Sequence, residues 1–392
     1  NVVLKREPVM NPIFSRTLKA LCSVMAAAML SACGGASSTV SPLNEKVTPT
    51  IAGSRIIAFG DALSDAGQSG ARYTVNDGGA GGSMTLAERL AANFGFATMT
   101  PVSTSSTSIL TGGAYSYAYG GALINSGTGS VASQIDAFVN AGNTLTDNDL
   151  VVITAGQQDI VNAATAYYAN PTDAQAVTAK TTIATAAADL TRSIQKLTNA
   201  SAKHVLVIAP LNVARTPWGL SQGASYPNSS SNYTFLEKLS VALEGDNSAG
   251  SFGSQLALNI GNAYPSTSSG LKVFLSDLSS YFNLMTGTGA GSSDVYGRAF
   301  PHPTGSLNTY STYLTAAGVA LTNPDVPVCT VSILLCNAST IATNAAGPNG
   351  HWDYNTSVFA DDYNLTPAAN RMLADYIFNG AGMGTMRTAG WR

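Results

Sequence analysis

Four short apolar runs constrain this chain more than any other feature: Ile56-Ile57-Ala58-Phe59, Leu150-Val151-Val152-Ile153, His204-Val205-Leu206-Val207-Ile208 and Leu271-Lys272-Val273-Phe274-Leu275. Each has strand length and none alternates strictly between apolar and polar residues, so the strands they form need cover on both faces. Sheets of that kind are parallel, and parallel neighbours are joined by long crossovers, usually helices. The segment between the second and third runs supplies one. Its Ile183, Ala187, Leu190, Ile194 and Leu197 repeat at helical spacing, which completes a strand, helix, strand unit with parallel pairing. Thr85 to Phe94 reads as another helix, with Leu86, Leu90 and Phe94 on one face, a Thr85/Glu88 capping box and Gly95 as the stop. A last helix takes Thr366 as N-cap and Pro367 in its first turn, buries Ala369, Met372, Leu373, Tyr376 and Ile377, and ends near Gly380. The alternation predicts an α/β domain. Ligands of such sheets bind beyond the carboxyl ends of the strands, so the segments that follow these runs are where chemistry is expected.

Composition narrows the function classes. Charged residues make up 10% of the chain and apolar residues 45%, which excludes a disordered polyelectrolyte. Formal net charge is −3, and no Lys/Arg cluster follows the N-terminal region, so the basic footprint of a nucleic-acid partner is missing. Near the N-terminus, Arg16 and Lys19 precede the apolar run Ala20 to Leu30, which is too short to span a bilayer and suits the core of an export signal. The run ends in Leu30-Ser31-Ala32-Cys33-Gly34, which resembles the lipobox of bacterial lipoproteins and implies lipidation of the Cys33 thiol. Residues 1–32 are then a lipoprotein signal peptide, 33–53 a linker, and 54–385 the folded domain, with a loop-rich insertion over about 287–350. The first 32 residues hold four of the 19 cations and one of the 22 anions, which leaves the remainder at −6. Acyl chains contribute about 0.8 kcal/mol per buried methylene, so a membrane is an expected partner through Cys33. Gly34 stands where lipoproteins kept at the inner membrane often carry Asp, which points to the outer membrane.

Two cysteines remain in the folded part, Cys329 and Cys336. In an oxidising compartment that spacing reads as a local disulfide, since a zinc site needs further ligands nearby. The three histidines, His204, His302 and His351, show no metal-binding spacing.

The segments after the strands carry a resemblance. Ile57-Ala58-Phe59-Gly60-Asp61-Ala62-Leu63-Ser64-Asp65 resembles the first block of the GDSL, or SGNH, lipases and esterases, with Ala62 where that family has its nucleophilic Ser. Gly112 to Ala122 is similar to the second block: Gly121 matches the glycine whose N–H joins the oxyanion hole, and Ser116 stands at an Asn position. Thr154-Ala155-Gly156-Gln157-Gln158-Asp159-Ile160 resembles the third, with Gln158 at the place of the Asn that also donates to the oxyanion. Phe359 to Pro367 resembles the last, with Asp361 retained and Asn364 at the His position. The resemblance covers roughly Arg55 to Ile377. It implies a flavodoxin-like three-layer α/β/α fold around a parallel sheet, carboxylic ester chemistry, and no cofactor or metal.

That chemistry needs a hydroxyl to attack the acyl carbon, an imidazole to move its proton and a carboxylate to orient the imidazole. Ala62 carries no attacking atom, and a carboxamide at Asn364 does not titrate near neutrality. The first reading is therefore a lipoprotein that has lost ester hydrolysis and binds an acyl or glycan ester ligand. The second is an active esterase or lipase with another nucleophile and base. Ser64, two residues on, reads as a turn-stabilising residue, His302 as a loop residue and His204 as structural, while His351 lies close enough to the last block to approach the site from a loop. The lipobox reading has a direct check: Cys33→Ser is expected to abolish incorporation of labelled palmitate and to move the protein from the membrane fraction to the soluble one.

Overall fold

In the computed structural model six strands form one sheet: β1 (Arg55–Gly60), β2 (Met99–Pro101), β3 (Gly113–Ser116), β4 (Asp149–Thr154), β5 (His204–Ile208) and β6 (Lys272–Ser276). Their order is β2-β3-β1-β4-β5-β6 and every pairing is parallel. The structure describes residues 53–77, 83–222, 231–240, 251–265, 271–276, 278, 281–282, 285–286, 292–293, 299–300, 327–343, 354–355, 357–380, 385–386, 389 and 391. Cys33, His302 and His351 lie outside them, as do the leader and most of the 287–350 insertion. If the three-residue edge strand β2 is set aside, the remaining five lie in the order second, first, third, fourth, fifth, which is the flavodoxin-like arrangement. The four apolar runs became β1, β4, β5 and β6. Strands β2 and β3 carry no apolar run: β3 is half-buried by alternation and β2 exposes two of its three residues.

The strands divide their side chains between two cores. Ile56, Ala58, Leu150, Val152, Leu206 and Ile208 point to one face, against α1 (Leu86–Asn93) and the last helix, α8 (Pro367–Asn379). Ile57, Phe59, Val151, Ile153, Val205 and Val207 point to the other, against α2 (Val131–Asn140), the crossover helix α4 (Asp173–Asn199) and α7 (Phe252–Ala263). This is why the runs of β1, β4 and β5 do not alternate: both of their faces are dry, whereas β6 at the sheet edge is part-buried. The crossover between β4 and β5 holds two helices rather than one, since α3 (Gln157–Ala169) precedes α4. On α4, Ile183, Ala187, Leu190, Ile194 and Leu197 are all fully buried. Helix α1 starts where the sequence predicts: the Glu88 carboxylate accepts from the backbone N–H of Thr85 at 3.0 Å. Thr366 caps α8 by accepting from Ala369 N at 3.2 Å.

At the carboxyl end of β1, Gly60 adopts φ +134°, and a Cβ there would lie 1.8 Å from the carbonyl oxygen of Thr154 on β4. Only glycine fits. The Gly60 peptide is clamped by one buried amide: Gln134 of α2 accepts from Gly60 N at 2.7 Å and donates to Gly60 O at 2.8 Å and Gly129 O at 2.7 Å. Gln134→Leu keeps the volume but leaves the Gly60 N–H and the Gly129 carbonyl without that partner. Each buried unpaired group costs about 1–3 kcal/mol, so for these two a loss of about 2–6 kcal/mol is expected in urea unfolding with an unchanged m-value.

Candidate active site

Three loops leave the sheet on one edge and meet a fourth segment, the turn before α8. Chain direction switches at β1, whose neighbours β3 and β4 are reached from opposite sides, so the crevice falls beyond their carboxyl ends. Asp61 and Ala62 follow β1, Gly120 and Gly121 follow β3, and Gln157 and Gln158 open the helix after β4. The turn before α8 adds Asp361, Tyr363 and Asn364. Together they line an open cleft of about 150 Å³, completed by Tyr73 and Ile333. Thus Ala62, Gly121, Gln158, Asp361 and Asn364, picked from four separate segments, share one cavity.

The turn around Asp361 is a tight antiparallel bridge between Phe359 and Leu365. One carboxylate oxygen of Asp361 accepts from the backbone N–H groups of Tyr363 and Asn364 at 3.0 and 2.7 Å. The other accepts from Asn364 Nδ2 at 2.8 Å. Asn364 is 5% exposed, so this carboxamide is held against the carboxylate with little room to turn. The Asn364 amide thus has one fixed donor contact, to the Asp361 carboxylate.

Gly121 takes φ +75°, which favours glycine. Gly120 is fixed by packing, because a Cβ would meet the Tyr73 ring at 1.9 Å. Its N–H donates to Asp65 at 2.8 Å. Gln158 Nε2 donates to Asn162 at 2.8 Å, and its Oε1 lies 3.9 Å from where a Cβ on Gly121 would stand. Ser64 is fully buried and does not line the cleft; its Oγ lies 2.9 Å from Thr154 Oγ1, and Ser116 donates to its carbonyl at 2.6 Å. His204 sits at the opposite end of β5, edge-on to Trp391 at 5.6 Å between ring centres. Burial and the charge of Lys272 push its imidazole below the usual range. Among the described residues lining the cleft there is no Ser, Thr, Cys, Lys or His.

Comparison with known families decides the matter of ancestry, since residues 56–377 match the family described as GDSL-like Lipase/Acylhydrolase. The chain belongs to that family. No curated protein matches the chain. In this GDSL protein Tyr73, Gln157, Tyr363 and Ile333 line the cleft without any mark in the family blocks beyond their nearness to them. Tyr363 lies inside the last block and Gln157 beside Gln158, whereas nothing in the sequence around Tyr73 announces it. Ile333 had one usable mark, its place between Cys329 and Cys336, which are disulfide-bonded.

Two buried carboxylates, Asp61 and Asp65, and the half-buried Asp159 lie around the GDSL cleft, and desolvation dominates each. Asp61 is 5% exposed and its pKa is raised by burial, against hydrogen bonds from Thr154 Oγ1 at 2.9 Å and Leu63 N at 3.2 Å. Asp65 is also raised by burial, although it accepts from Gly67, Gln68 and Gly120 at 2.8 Å each. Asp159 is raised from 3.8 to about 6, first by desolvation and last by the charge of Asp61. With a folded pKa above the unfolded one, the native state keeps this proton where the unfolded chain has lost it. The stabilisation is complete below about pH 4 and disappears as pH rises through about 6. Asp159→Asn retains an oxygen for the N–H of Ile124, 3.2 Å away, and removes the ionisation. The variant is expected to match the parent in unfolding free energy near pH 4 and to exceed it by about 1–2 kcal/mol at pH 7 to 8.

Proposed function

We propose that this chain keeps the ester-binding cleft of the GDSL family and lacks its hydrolytic chemistry, so that it binds an acyl or glycan ester without turning it over. The observation that carries the reading is the Asn364 carboxamide donating to Asp361 at 2.8 Å in a cleft that Ala62 also lines. A base is needed where that amide stands, and a hydroxyl where the Ala62 methyl stands. Neither residue can accept or surrender a proton at neutral pH. The bond from Gln158 to Asn162 fits the same reading, because it engages one of the two N–H donors of that amide.

The domain concerned spans 54–385, and a lipid on Cys33 would tether it, through the linker 33–53, to a membrane, for which we propose the outer one. Tethering suits a binding protein, since it holds the cleft at a surface where ester ligands are presented.

The test compares release of nitrophenol from short- and medium-chain nitrophenyl esters by the parent chain, Ala62→Ser, Asn364→His and the double replacement. Triad members act as a unit, worth on the order of 10⁶ in turnover, and an impaired oxyanion hole forfeits about 10²–10³ of that. The single replacements should therefore stay near the parent rate, and the double one should exceed it by about 10³- to 10⁴-fold. Turnover by the parent at ordinary enzyme rates, unaltered by the double replacement, would sink the proposal and favour an esterase with another nucleophile.

A further inference from the structure

Ile333 reaches the cleft from a segment outside the family's four blocks, and how it is held there points to a role. It opens a short 3-10 turn, Ile333–Leu335, inside the loop closed by the Cys329–Cys336 disulfide. The loop is sewn to both flanks of the cleft. On one side Asn76 N donates to Cys336 O at 2.8 Å, three residues after the cleft residue Tyr73. On the other, Cys329 N donates to Ala360 O at 2.8 Å and Val328 N to Phe359 O at 3.2 Å, immediately before Asp361. Ile333, Cys336, Val75, Val328, Ile341 and Ala360 form a small core of their own. Ile333 is 8% exposed, and what it shows to solvent it shows beside the cleft.

Among the described residues that line the cleft, Ile333 is the one large aliphatic side chain; the others are carboxylates, amides, glycines, Ala62 and two tyrosines. A carboxylic ester has a polar carbonyl and an aliphatic chain, and the carbonyl suits the Gly121 and Asn364 side of the cavity. The chain needs an apolar surface, and each methylene placed on one gains roughly fourfold in affinity.

We infer that Ile333 is the specificity-determining wall of the cleft, that it sets the length of the ligand's aliphatic chain, and that the Cys329–Cys336 disulfide is what positions it. The inference rests on the ester-binding reading above. A backbone turn of three residues has little stiffness alone, so a covalent closure across it fixes the wall where a longer flexible loop would let it yield. The aliphatic chain could belong to the acyl or to the alcohol half of the ester, and the shared requirement is a short alkyl group.

The experiment measures dissociation constants of the parent chain and its variants by chemical-shift titration with two series, methyl alkanoates from acetate to octanoate and n-alkyl acetates from methyl to octyl. In one of the series the parent should show an optimum at a short chain, and that series identifies the half of the ester that meets Ile333. Ile333→Ala should move the optimum one to three carbons longer, with up to about fourfold gained per added methylene, and Ile333→Phe should move it shorter. The pair Cys329→Ser with Cys336→Ser, or the parent under a phosphine reductant, should flatten the optimum while short esters still bind. An optimum unmoved by both Ile333 substitutions overturns the inference and leaves ester binding intact. Failure of every chain to bind any ester overturns the inference together with the reading beneath it. Turnover of these esters by the parent removes that reading alone, and the same chain-length shifts, read in kcat/KM, then decide the inference.

Discussion

A sheet whose neighbouring strands all run the same way cannot be closed by tight turns, and this requirement organises everything else in the molecule. Each strand must be followed by a crossover that climbs over one face, so all the loops that leave carboxyl ends collect along one edge. Strand β1 sits between β3 and β4, and the chain departs from it in one direction and returns on the other side. The crevice is a consequence of that reversal. Gly60 then makes it usable. With a Cβ at that position the turn would strike Thr154 O, and Asp61 and Ala62 could not leave the strand toward the cleft.

The loops around the crevice are fastened by carboxylates as well as by apolar packing of residues such as Leu63, Phe359 and Ile333. Asp65 gathers three backbone N–H groups and so ties the loop after β1 to Gly120 after β3. Asp61 reaches Thr154 at the end of β4, and Asp361 holds its own turn through two backbone N–H groups and the Asn364 amide. Burying a carboxylate is costly, which is why Asp61, Asp65 and Asp159 all titrate above their ordinary range. The return is geometric. A carboxylate with several fixed acceptor directions sets the relative positions of backbone segments that come from distant parts of the chain, which an apolar contact, being non-directional, does less sharply.

Much of this was legible from residues alone, and the limits have physical causes. Strands β1, β4 and β5 are central and covered on both faces, so burial wrote itself into them as apolar runs, while the edge strand β6 is only part-buried and its run is interrupted by Lys272. Strand β3 alternates as GAYS and β2 has three residues at the sheet edge, too little buried surface to leave a pattern. The caps Thr85 and Thr366 were readable because capping is local chemistry. The family blocks picked out Ala62, Gly121, Gln158, Asp361 and Asn364, of which only Ala62 and Gln158 followed a strand legible in the sequence, and the structure brings all five into one cavity. Tyr73 and Ile333 left no comparable trace, because each is drawn into the cleft by partners far along the chain: Tyr73 by its contact with Gly120, Ile333 by the sewing of its loop to Asn76 and Ala360.

What the sequence determined by itself was whatever depends on neighbours within a few residues or on the identity of a single side chain: the strand runs, the caps, the absence of a hydroxyl at Ala62 and of an imidazole at Asn364. What only the tertiary structure decided was direction and company. The Asn364 amide donates to Asp361, the Gln158 amide donates instead to Asn162, Ser64 is sealed beneath Thr154, and an isoleucine enclosed by a disulfide forms the wall of the cleft. A residue's chemistry is carried in its own atoms, but where those atoms point is fixed by contacts between segments that only folding brings together.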